Sequence, residues 1–375
     1  MACPEMRTQT GPASVDDTAP RERNALIRPE QLAGYVPGLS PRRLEEARVV
    51  AERFPFRIPL FYAQRILTGD PEDPLLALVL PSGSELEDGD ELWDSTASPY
   101  RASDSPFWVQ KYEFQGLLRV TTACSGLCRF CYLKRKNAEP RVMTIRDVDE
   151  LFDDLEIRGR KLREIILSGG DPLCAPPDVL EAIARRVERL RAVSSCSIHL
   201  NIHTREPVWD PERMVRRSSL LGALALLKPK IFVINVIHPR EVTPEFERAC
   251  AVLNEACGPT SRPLFLCQHP LFRGVNDSVT VLEDLYGRLL SCSPPVLPYY
   301  LVHPFYNGTL PQHRLSIEDS QRLYRELARR PGCMLPKLVV PTPWGKCIIG
   351  PHEDLRRTAS GVELFTKDGV RVFVP

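Results

Sequence analysis

Three cysteines lie within eight residues of this sequence, in the run TTACSGLCRFCYLKRK, at Cys124, Cys128 and Cys131. A structural zinc site takes four ligands in a tetrahedral arrangement, usually from two separated pairs of residues. A [4Fe–4S] cluster offers four irons to thiolate ligands, so three cysteines leave one iron free to bind a small molecule. The spacing therefore favours a reactive iron–sulfur site. A zinc site completed by Cys or His elsewhere remains an alternative, as does a chance cluster of buried thiols.

Composition sets limits on the size and the partners of the protein. The 375 residues suffice for one large α/β domain with an extension, or for two smaller domains. A net charge of +1 gives no overall basic field, so we expect neither nucleic acid nor a membrane as a partner. The 12 cysteines are mostly scattered, which does not suit a dense disulfide framework. Together with an iron–sulfur site, this predicts a reducing, cytoplasmic location.

The chain divides by composition before the main domain begins. Residues 1–24 are polar and lack the apolar segment of a secretion signal, which predicts a disordered tail. Residues 25–107 predict a helical extension followed by a linker. Within it, Ser40 is the expected N-cap of a helix that stops before Pro55. Residues 81–106 are acidic and rich in Ser and Pro, which is typical of a linker.

Residues 108–305 alternate short apolar runs with helical patterns. The predicted strands cover 117–123, 163–170, 195–204, 230–238, 262–270 and 295–304. The predicted helices cover 147–160, 176–192, 211–226, 243–256, 278–292 and 317–330. Such alternation predicts an α/β fold with a parallel sheet and right-handed crossovers, here a partial (β/α)6 TIM-like barrel. Residues 306–375 are expected to form a short C-terminal segment that closes the active site.

Polar residues follow several of these strands, at the barrel edge where active sites lie. The motif SGGDPL supplies Ser168, Gly169, Gly170 and Asp171 after one strand, and its glycines let a ligand approach the backbone. A simple turn is the alternative for that motif. The candidates after the next two strands are His203, Arg205, Asn235 and His238. Taken alone, these are more typical of satisfied polar loops.

Lys346, in the stretch PTPWGKCIIGP, is a second candidate for specific chemistry. A lysine on a glycine-containing loop can react with an aldehyde, as enzymes that use pyridoxal phosphate (PLP) require. A solvated surface lysine is the alternative.

An ordered set of stretches from about Leu44 to Pro375 resembles the lysine 2,3-aminomutase family of radical S-adenosylmethionine (SAM) enzymes. The stretches are DPLLALVLPS, KYEFQGLL, CSGLCRFC, LSGGDPL, HTREPV, IHPREVTPE, RGVND, LPYYLVHP and PWGK. The resemblance implies a crescent-shaped partial barrel, a [4Fe–4S] cluster, SAM and usually PLP. Members of this family move an amino group between adjacent carbons, after a 5′-deoxyadenosyl radical derived from SAM removes a hydrogen from the substrate.

The resemblance also assigns roles to individual residues. The cluster ligands would be Cys124, Cys128 and Cys131. The residues near SAM would be Phe130, Ser168, Gly169, Gly170, Asp171, His203, Arg205, Asn235 and His238. Lys111 and Tyr112 would lie near the PLP phosphate, and Lys346 would carry PLP. The implied partners are a small-molecule substrate and an electron donor such as ferredoxin or flavodoxin, and a homo-oligomer is compatible with the family.

The chain departs from the family pattern at positions that bind the substrate and the PLP phosphate. Gln115 stands where the family has an arginine for the PLP phosphate, and Leu133 stands where it has an arginine for the substrate carboxylate. Phe305 and Pro341 occupy the two acidic positions that hold the distal ammonium of lysine, and neither can bind a cation by charge. We therefore expect a substrate other than free lysine, in an apolar pocket formed by Leu133, Phe305, Pro341 and Trp344.

Three functions stay open on the sequence alone. The first retains PLP and moves an amino group on another amino acid. The second works without PLP and uses the radical for dehydrogenation, epimerisation, elimination or decarboxylation. The third is a non-catalytic iron–sulfur or zinc protein.

Overall fold

A computed structural model describes residues 24–87, 103–131, 133–134, 141–159, 161–194, 196–304, 310–330 and 334–374. The predicted disordered tail, apart from residue 24, lies outside the described residues, as do residues 88–102 of the predicted linker. None of the described helices combines the length and the apolar character needed to cross a bilayer.

The N-terminal extension is partly helical. Its elements are β1 (Ala25–Leu26), α1 (Pro41–Arg53), β2 (Ile58–Pro59) and α2 (Leu60–Arg65). The Ser40 hydroxyl accepts a hydrogen bond from the Arg43 backbone N–H at 3.3 Å, and the helix ends before Pro55, as predicted. The antiparallel pair of β1 and β2 was not predicted.

A nine-stranded sheet forms the centre of the molecule, and its strands follow one another in chain order. They are β3 (Trp108–Tyr112), β4 (Gln115–Thr121), β5 (Glu164–Gly169), β6 (His199–Thr204), β7 (Ile231–Ile234), β8 (Leu264–Pro270), β9 (Val296–Val302), β10 (Lys337–Thr342) and β11 (Gly345–Ile349). Strands β4 to β10 are parallel, and β3 and β11 are the antiparallel edges. The sheet continues past residue 305, where the sequence predicted the barrel to end.

Helices connect the parallel strands and cover the outside of the sheet. They are α3 (Ile145–Arg158), α4 (Pro177–Val193), α5 (Glu206–Trp209), α6 (Pro211–Arg216), α7 (Ser218–Leu227), α8 (Pro244–Ala256), α9 (Gly258–Ser261), α10 (Val279–Ser291) and α11 (Ile317–Ala328). The helix predicted over 211–226 is two helices, because the chain turns at Arg217, whose guanidinium donates to the Leu173 carbonyl at 2.7 Å. Six crossovers join β4 through β10, which confirms the predicted (β/α)6 barrel.

The two edge strands of the sheet meet through side chains instead of a ladder of backbone hydrogen bonds. The Tyr112 hydroxyl accepts a hydrogen bond from the Lys346 backbone N–H at 2.9 Å. The Lys111 ammonium donates to the carbonyls of Thr342 at 3.4 Å and Pro343 at 3.3 Å. We call Lys111, Tyr112 and Lys346 the lysine seam. These contacts bring the ends of the sheet together into a nearly closed barrel.

The C-terminal residues add a second small sheet beside the seam. Its antiparallel strands are β12 (Arg356–Thr358), β13 (Gly361–Phe365) and β14 (Arg371–Val374). An isolated bridge between Cys347 and Thr366 joins it to β11. The C-terminal segment therefore backs the strand that carries Lys346.

Candidate active site

The cysteine loop, residues 122–131, leaves the carboxyl end of β4. Burial raises the pKa of the Cys128 thiol to about 12 and also raises the pKa values of Cys124 and Cys131. Without a bound cation, these three partly buried thiols therefore hold their protons at neutral pH. Iron binding supplies the positive charge that converts such thiols to thiolates.

The donor set suits a cluster better than a single metal ion. Among the described residues, no three His, Cys, Asp or Glu side chains are arranged to hold one metal ion. A tetrahedral zinc site needs its ligands to converge on one point. A [4Fe–4S] cluster does not, because each of its thiolates binds a different iron. Three thiols on one short loop fit that requirement.

A buried network of charges attaches the cysteine loop to the N-terminal extension. The Arg129 side chain is 2% exposed, and its Nε and Nη2 donate to the two carboxylate oxygens of Glu85 at 3.1 and 2.6 Å. The Lys134 ammonium donates to Glu85 Oε2 and to the Arg129 carbonyl, each at 2.6 Å. Burial lowers the pKa of Lys134 to about 8. The Glu85 carboxylate thereby links the extension to the residue between two cluster cysteines.

The two glycines at the carboxyl end of β5 are required by a close contact with the cysteine loop. The Gly170 backbone N–H donates to the Thr121 carbonyl at 2.6 Å, and a Cβ at Gly170 would lie 2.4 Å from the Ala123 carbonyl oxygen. Gly169 has a φ of +106°, which favours glycine. The motif SGGD therefore packs directly on the residues that precede Cys124.

The Asp171 carboxylate is fully engaged within the protein. It accepts hydrogen bonds from the Thr204 hydroxyl at 2.8 Å and from the backbone N–H groups of Arg205 at 2.7 Å and Glu206 at 3.0 Å. It also caps the turn at Leu173. Its side chain therefore positions the end of β6, so contacts to SAM from this turn would come from the backbone.

The Arg205 guanidinium belongs to a second buried network beneath the loop. It donates to the Asn235 side-chain oxygen at 2.8 Å and to Glu241 Oε1 at 2.6 Å, and it packs against the Trp209 ring at 4.8 Å. The Tyr62 hydroxyl donates to the same Glu241 oxygen at 2.9 Å. Arg205 therefore orients Asn235.

A cavity of about 410 Å³ occupies the interior of the barrel. Its polar and charged lining consists of Lys111, Tyr112, Gln115, Arg119, Cys131, Ser168, His203, Asn235, Gln268, His303, Thr342 and Lys346. Its apolar lining consists of Val109, Gly116, Leu117, Phe130, Ile166, Pro270, Phe272, Val302, Pro304, Val339, Pro341 and Gly345. The cavity thus joins the third cluster cysteine to the lysine seam.

The Lys346 amine in this cavity differs from an ordinary surface lysine. Burial, together with the charges of Lys367 and Lys111, lowers its pKa to about 8. Its ammonium lies 4.5 Å from the centre of the Tyr300 ring. A larger share of this amine is therefore unprotonated, and nucleophilic, near neutral pH than of a free lysine. Burial likewise lowers the pKa of His203 to about 3, so that imidazole is neutral.

The structure brings together many, but not all, of the residues that the sequence singled out. Those that line the cavity are Lys111, Tyr112, Phe130, Cys131, Ser168, His203, Asn235, Pro341 and Lys346. Those that do not line it include Cys124, Cys128, Gly169, Gly170, Asp171, Arg205 and His238. The His238 ring accepts a hydrogen bond from the Arg240 backbone at 3.2 Å and caps a turn.

The predicted substrate pocket needs correction at two positions. Trp344 is 56% exposed, because it lies at the outer turn between β10 and β11. Leu133 is 4% exposed, and it packs into the protein instead of lining the cavity. Of the other two predicted pocket residues, Pro341 lines the cavity and Phe305 lies outside the described residues.

Sequence reasoning missed several polar side chains of the barrel interior. Arg119 and Gln268 line the cavity, and the side-chain oxygen of Gln268 has no hydrogen-bond partner among the described residues. Glu164 accepts hydrogen bonds from Gln115 and from Asn201, the latter at 2.5 Å. The sequence signal for these residues was a polar side chain at every second position of a predicted strand. Alternate residues of a strand lie on the same face of the sheet, so such a pattern indicates a polar face.

A family model and a solved structure each match part of this chain. The model of the radical SAM superfamily matches residues 118–251, from β4 through most of α8. A solved structure of a radical SAM methyltransferase from Sphaerobacter thermophilus aligns with a TM-score of 0.41 at 20% identity, covering 62% of this chain and 68% of that one.

Curated relatives match most of the chain. A putative L-lysine 2,3-aminomutase of Aquifex aeolicus is 30% identical over 82% of this chain and 80% of that protein. The L-lysine 2,3-aminomutase of Clostridium subterminale is 28% identical over 93% of this chain and 81% of its own length. These matches imply an enzyme with a [4Fe–4S] cluster, SAM and an electron donor. The chain belongs to the lysine 2,3-aminomutase family of radical SAM enzymes.

Proposed function

We propose that this enzyme moves an amino group between adjacent carbons of an amino acid, or an amino acid derivative, other than lysine. In this proposal PLP is held by Lys346. The observation that carries it is the Lys346 amine, which has a lowered pKa and lies in the same cavity as Cys131. The cluster and SAM supply the radical that removes a hydrogen from the substrate, and PLP supplies the conjugated system that makes amino migration accessible.

The lysine seam supports the PLP part of the proposal. Tyr112 fixes the backbone of Lys346 through its hydroxyl, while Lys111 brings a second ammonium to the same region. The Lys367 ammonium adds a third positive charge, 4.7 Å from the Tyr112 ring centre. A phosphate group is an anion that such a group of cations attracts.

The lack of acidic groups in the cavity lining supports a substrate other than lysine. Among the described lining residues there is no Asp or Glu. The three cationic lining residues would repel a distal ammonium placed there, and the nearby Glu164 carboxylate already accepts hydrogen bonds from Gln115 and Asn201. Pro341, at one of the two acidic positions of the family pattern, lines the cavity with an apolar ring.

The chain's own residues would divide the remaining work between binding and exclusion of water. Phe130 and Phe272, whose rings lie 5.2 Å apart, form an apolar wall beside Cys131. Ser168, Asn235 and the neutral His203 offer hydrogen bonds without adding charge. Such a lining holds bound groups in a fixed orientation and protects a radical from solvent.

The test uses full-length protein reconstituted anaerobically with iron and sulfide. Reduced enzyme with SAM should release 5′-deoxyadenosine, and the release should rise in the presence of an amino acid substrate but not with lysine. Incubation with PLP followed by borohydride should attach a pyridoxyl group to Lys346, detected by mass spectrometry. Lys346→Ala should abolish that attachment, whereas Lys337→Ala, which removes an exposed lysine at the start of β10, should retain it.

A PLP-independent radical reaction is the second candidate, and one observation favours it. Gln115, at the position of the phosphate arginine in the family pattern, is hydrogen-bonded to Glu164 and brings no positive charge. If PLP does not attach to Lys346 while 5′-deoxyadenosine is still formed, dehydrogenation, epimerisation, elimination or decarboxylation replaces amino migration. If no 5′-deoxyadenosine forms in the presence of a complete cluster, both candidates fail.

A further inference from the structure

The charges that line the barrel cavity are all positive. The described lining residues include Lys111, Arg119 and Lys346 but no acidic residue. The Glu164 carboxylate lies on the same face of β5 as Ile166 and Ser168, but it already accepts hydrogen bonds from Gln115 and Asn201. A half-buried cavity whose charged lining residues are cations favours the binding of anionic groups, since each cation is only partly hydrated there. The cavity therefore suits ligands that carry carboxylate or phosphate oxygens.

Arg119 differs from the two lysines in its contacts. Lys111 donates to backbone carbonyls of Thr342 and Pro343, and the Lys346 ammonium lies over the Tyr300 ring. Within the part of the chain that the structure describes, the Arg119 side chain has no hydrogen bond or ion pair. A guanidinium carries five N–H donors in a planar fork. Those donors are available to a ligand.

Arg119 lies close to the start of the cysteine loop. It lies near the carboxyl end of β4, five residues before Cys124, and pairs in register with Ser168 of β5. A Cβ built on Gly169 would lie 3.1 Å from its Cβ. Leu133 carries no charge and does not line the cavity, so the segment after the third cysteine offers no guanidinium.

We propose that Arg119 binds the carboxylate of the substrate, and that the substrate is a carboxylic acid with an apolar chain. This inference rests on the proposed function for the existence of a small-molecule substrate in the cavity. A bidentate guanidinium–carboxylate pair fixes both the position and the orientation of the acid. The apolar chain would lie against Phe130, Phe272 and Val302, which line the same cavity. Arg119, which lies on β4, thus determines the specificity of the enzyme for substrates with a carboxylate.

Two other anionic groups share this chemistry and must be distinguished. The methionine carboxylate of SAM and the phosphate of PLP could each accept hydrogen bonds from a guanidinium. The experiment therefore measures the affinity of Arg119 variants for SAM and PLP separately from their affinity for an acid. Binding is measured without turnover, so failure of the proposed amino migration does not decide the result.

The probe is 4-methylpentanoate, with 4-methylpentanamide as its uncharged match. Calorimetric titration of the reconstituted, SAM-loaded enzyme should show the acid binding about 10–100-fold more tightly than the amide, as a charged hydrogen-bond pair predicts. Arg119→Gln should reduce acid binding to the level of the amide, and Arg119→Lys should restore part of it. Arg146→Gln, on the exposed face of α3, should leave both affinities unchanged.

The proposal also predicts what Arg119→Gln does not change. Iron content and the affinities for SAM and PLP should match those of the parent enzyme. Equal binding of acid and amide by the parent enzyme, no binding of the acid, or an unchanged acid affinity in Arg119→Gln overturns the proposal. A loss of affinity for SAM or PLP in place of the acid overturns it as well, because the guanidinium would then serve a cofactor.

Discussion

The cysteine loop and the lysine seam lie at the same cavity, but they are held in place by different interactions. The cysteine loop is fixed by the buried pair of Glu85 and Arg129 and by the backbone contact of Gly170. The lysine seam joins two strand edges through the side chains of Lys111 and Tyr112. Breaking a buried ion pair leaves an uncompensated charge, whereas losing one neutral hydrogen bond costs much less.

This difference separates a constant part of the site from an adaptable one. A cluster bound by this loop would need one geometry of three thiolates, and contacts from two distant parts of the chain fix the loop. The seam and the cavity wall carry the departures from the family pattern, including Gln115 and Pro341. Substitutions there change charge and shape without disturbing the cluster loop. The following predictions test that separation, from the largest expected effect to the smallest.

Replacing any one cluster cysteine should have the largest effect. Cys124→Ala, Cys128→Ala or Cys131→Ala removes one of three iron ligands, and we expect loss of the cluster and of 5′-deoxyadenosine formation. Iron and acid-labile sulfide per chain after anaerobic reconstitution measure the loss. Cys196→Ala, outside the loop, should bind as much iron as the parent enzyme. Full iron loading in all three loop variants would show that the ligands lie elsewhere.

Removing the charge of Glu85 should destabilise the folded protein strongly. Glu85→Gln leaves the buried cations of Arg129 and Lys134 without a carboxylate, which should cost about 3 kcal/mol or more in the free energy of unfolding. Urea denaturation of the purified protein measures it. The exposed pair of Arg48 and Glu52 supplies the control, since Glu52→Gln should cost less than about 1 kcal/mol. Similar losses in both variants would contradict the special role of the network.

Lys346 should make the stability of the protein depend on pH in the alkaline range. The unfolded chain holds this proton up to about pH 10.5, whereas the folded chain loses it near pH 8. Between these values the unfolded state binds more protons, so stability rises with pH. Lys346→Met should therefore stabilise the protein at pH 7, by on the order of 2 kcal/mol, and the gain should shrink toward pH 10.

Denaturation at several pH values provides the measurement, and Lys337→Met provides the control for loss of a lysine that does not act on Lys346. Because Lys337 is exposed, its replacement should change stability little at any pH. A gain for Lys346→Met that is the same at pH 7 and pH 10 would show that packing, not the buried charge, causes it.

Much of the barrel followed from the sequence, because buried parallel strands appear as short apolar runs between amphipathic helices. The predicted runs 230–238 and 262–270 contain the observed β7 and β8. Strand β10 was missed, since Pro341 and Pro343 are typical of a turn. Pro341 is tolerated because β10 pairs with β9 only as far as Val339, and Pro343 lies in the turn after the strand.

The spacing of the three cysteines predicts cluster ligands, but no pattern in the sequence predicts the contacts that hold their loop in place. Glu85 is 44 residues from Arg129 and falls in a segment with the composition of a linker, so no local pattern indicates their contact. Arg119 was overlooked for a related reason. One arginine in a strand can face solvent or the interior, and only the register with Ser168 and the cavity lining decide between them.

The smallest predicted effect concerns the lysine seam. Tyr112→Phe keeps the ring over which Lys367 lies but removes the hydroxyl that accepts the Lys346 backbone N–H. The loss of one neutral hydrogen bond should cost about 1 kcal/mol in the free energy of unfolding, with iron content unchanged. Hydrogen exchange at the Lys346 amide should become faster while amides of the cysteine loop keep their protection. If both regions lose protection together, the loop and the seam form one cooperative unit, and the proposed separation between them is wrong.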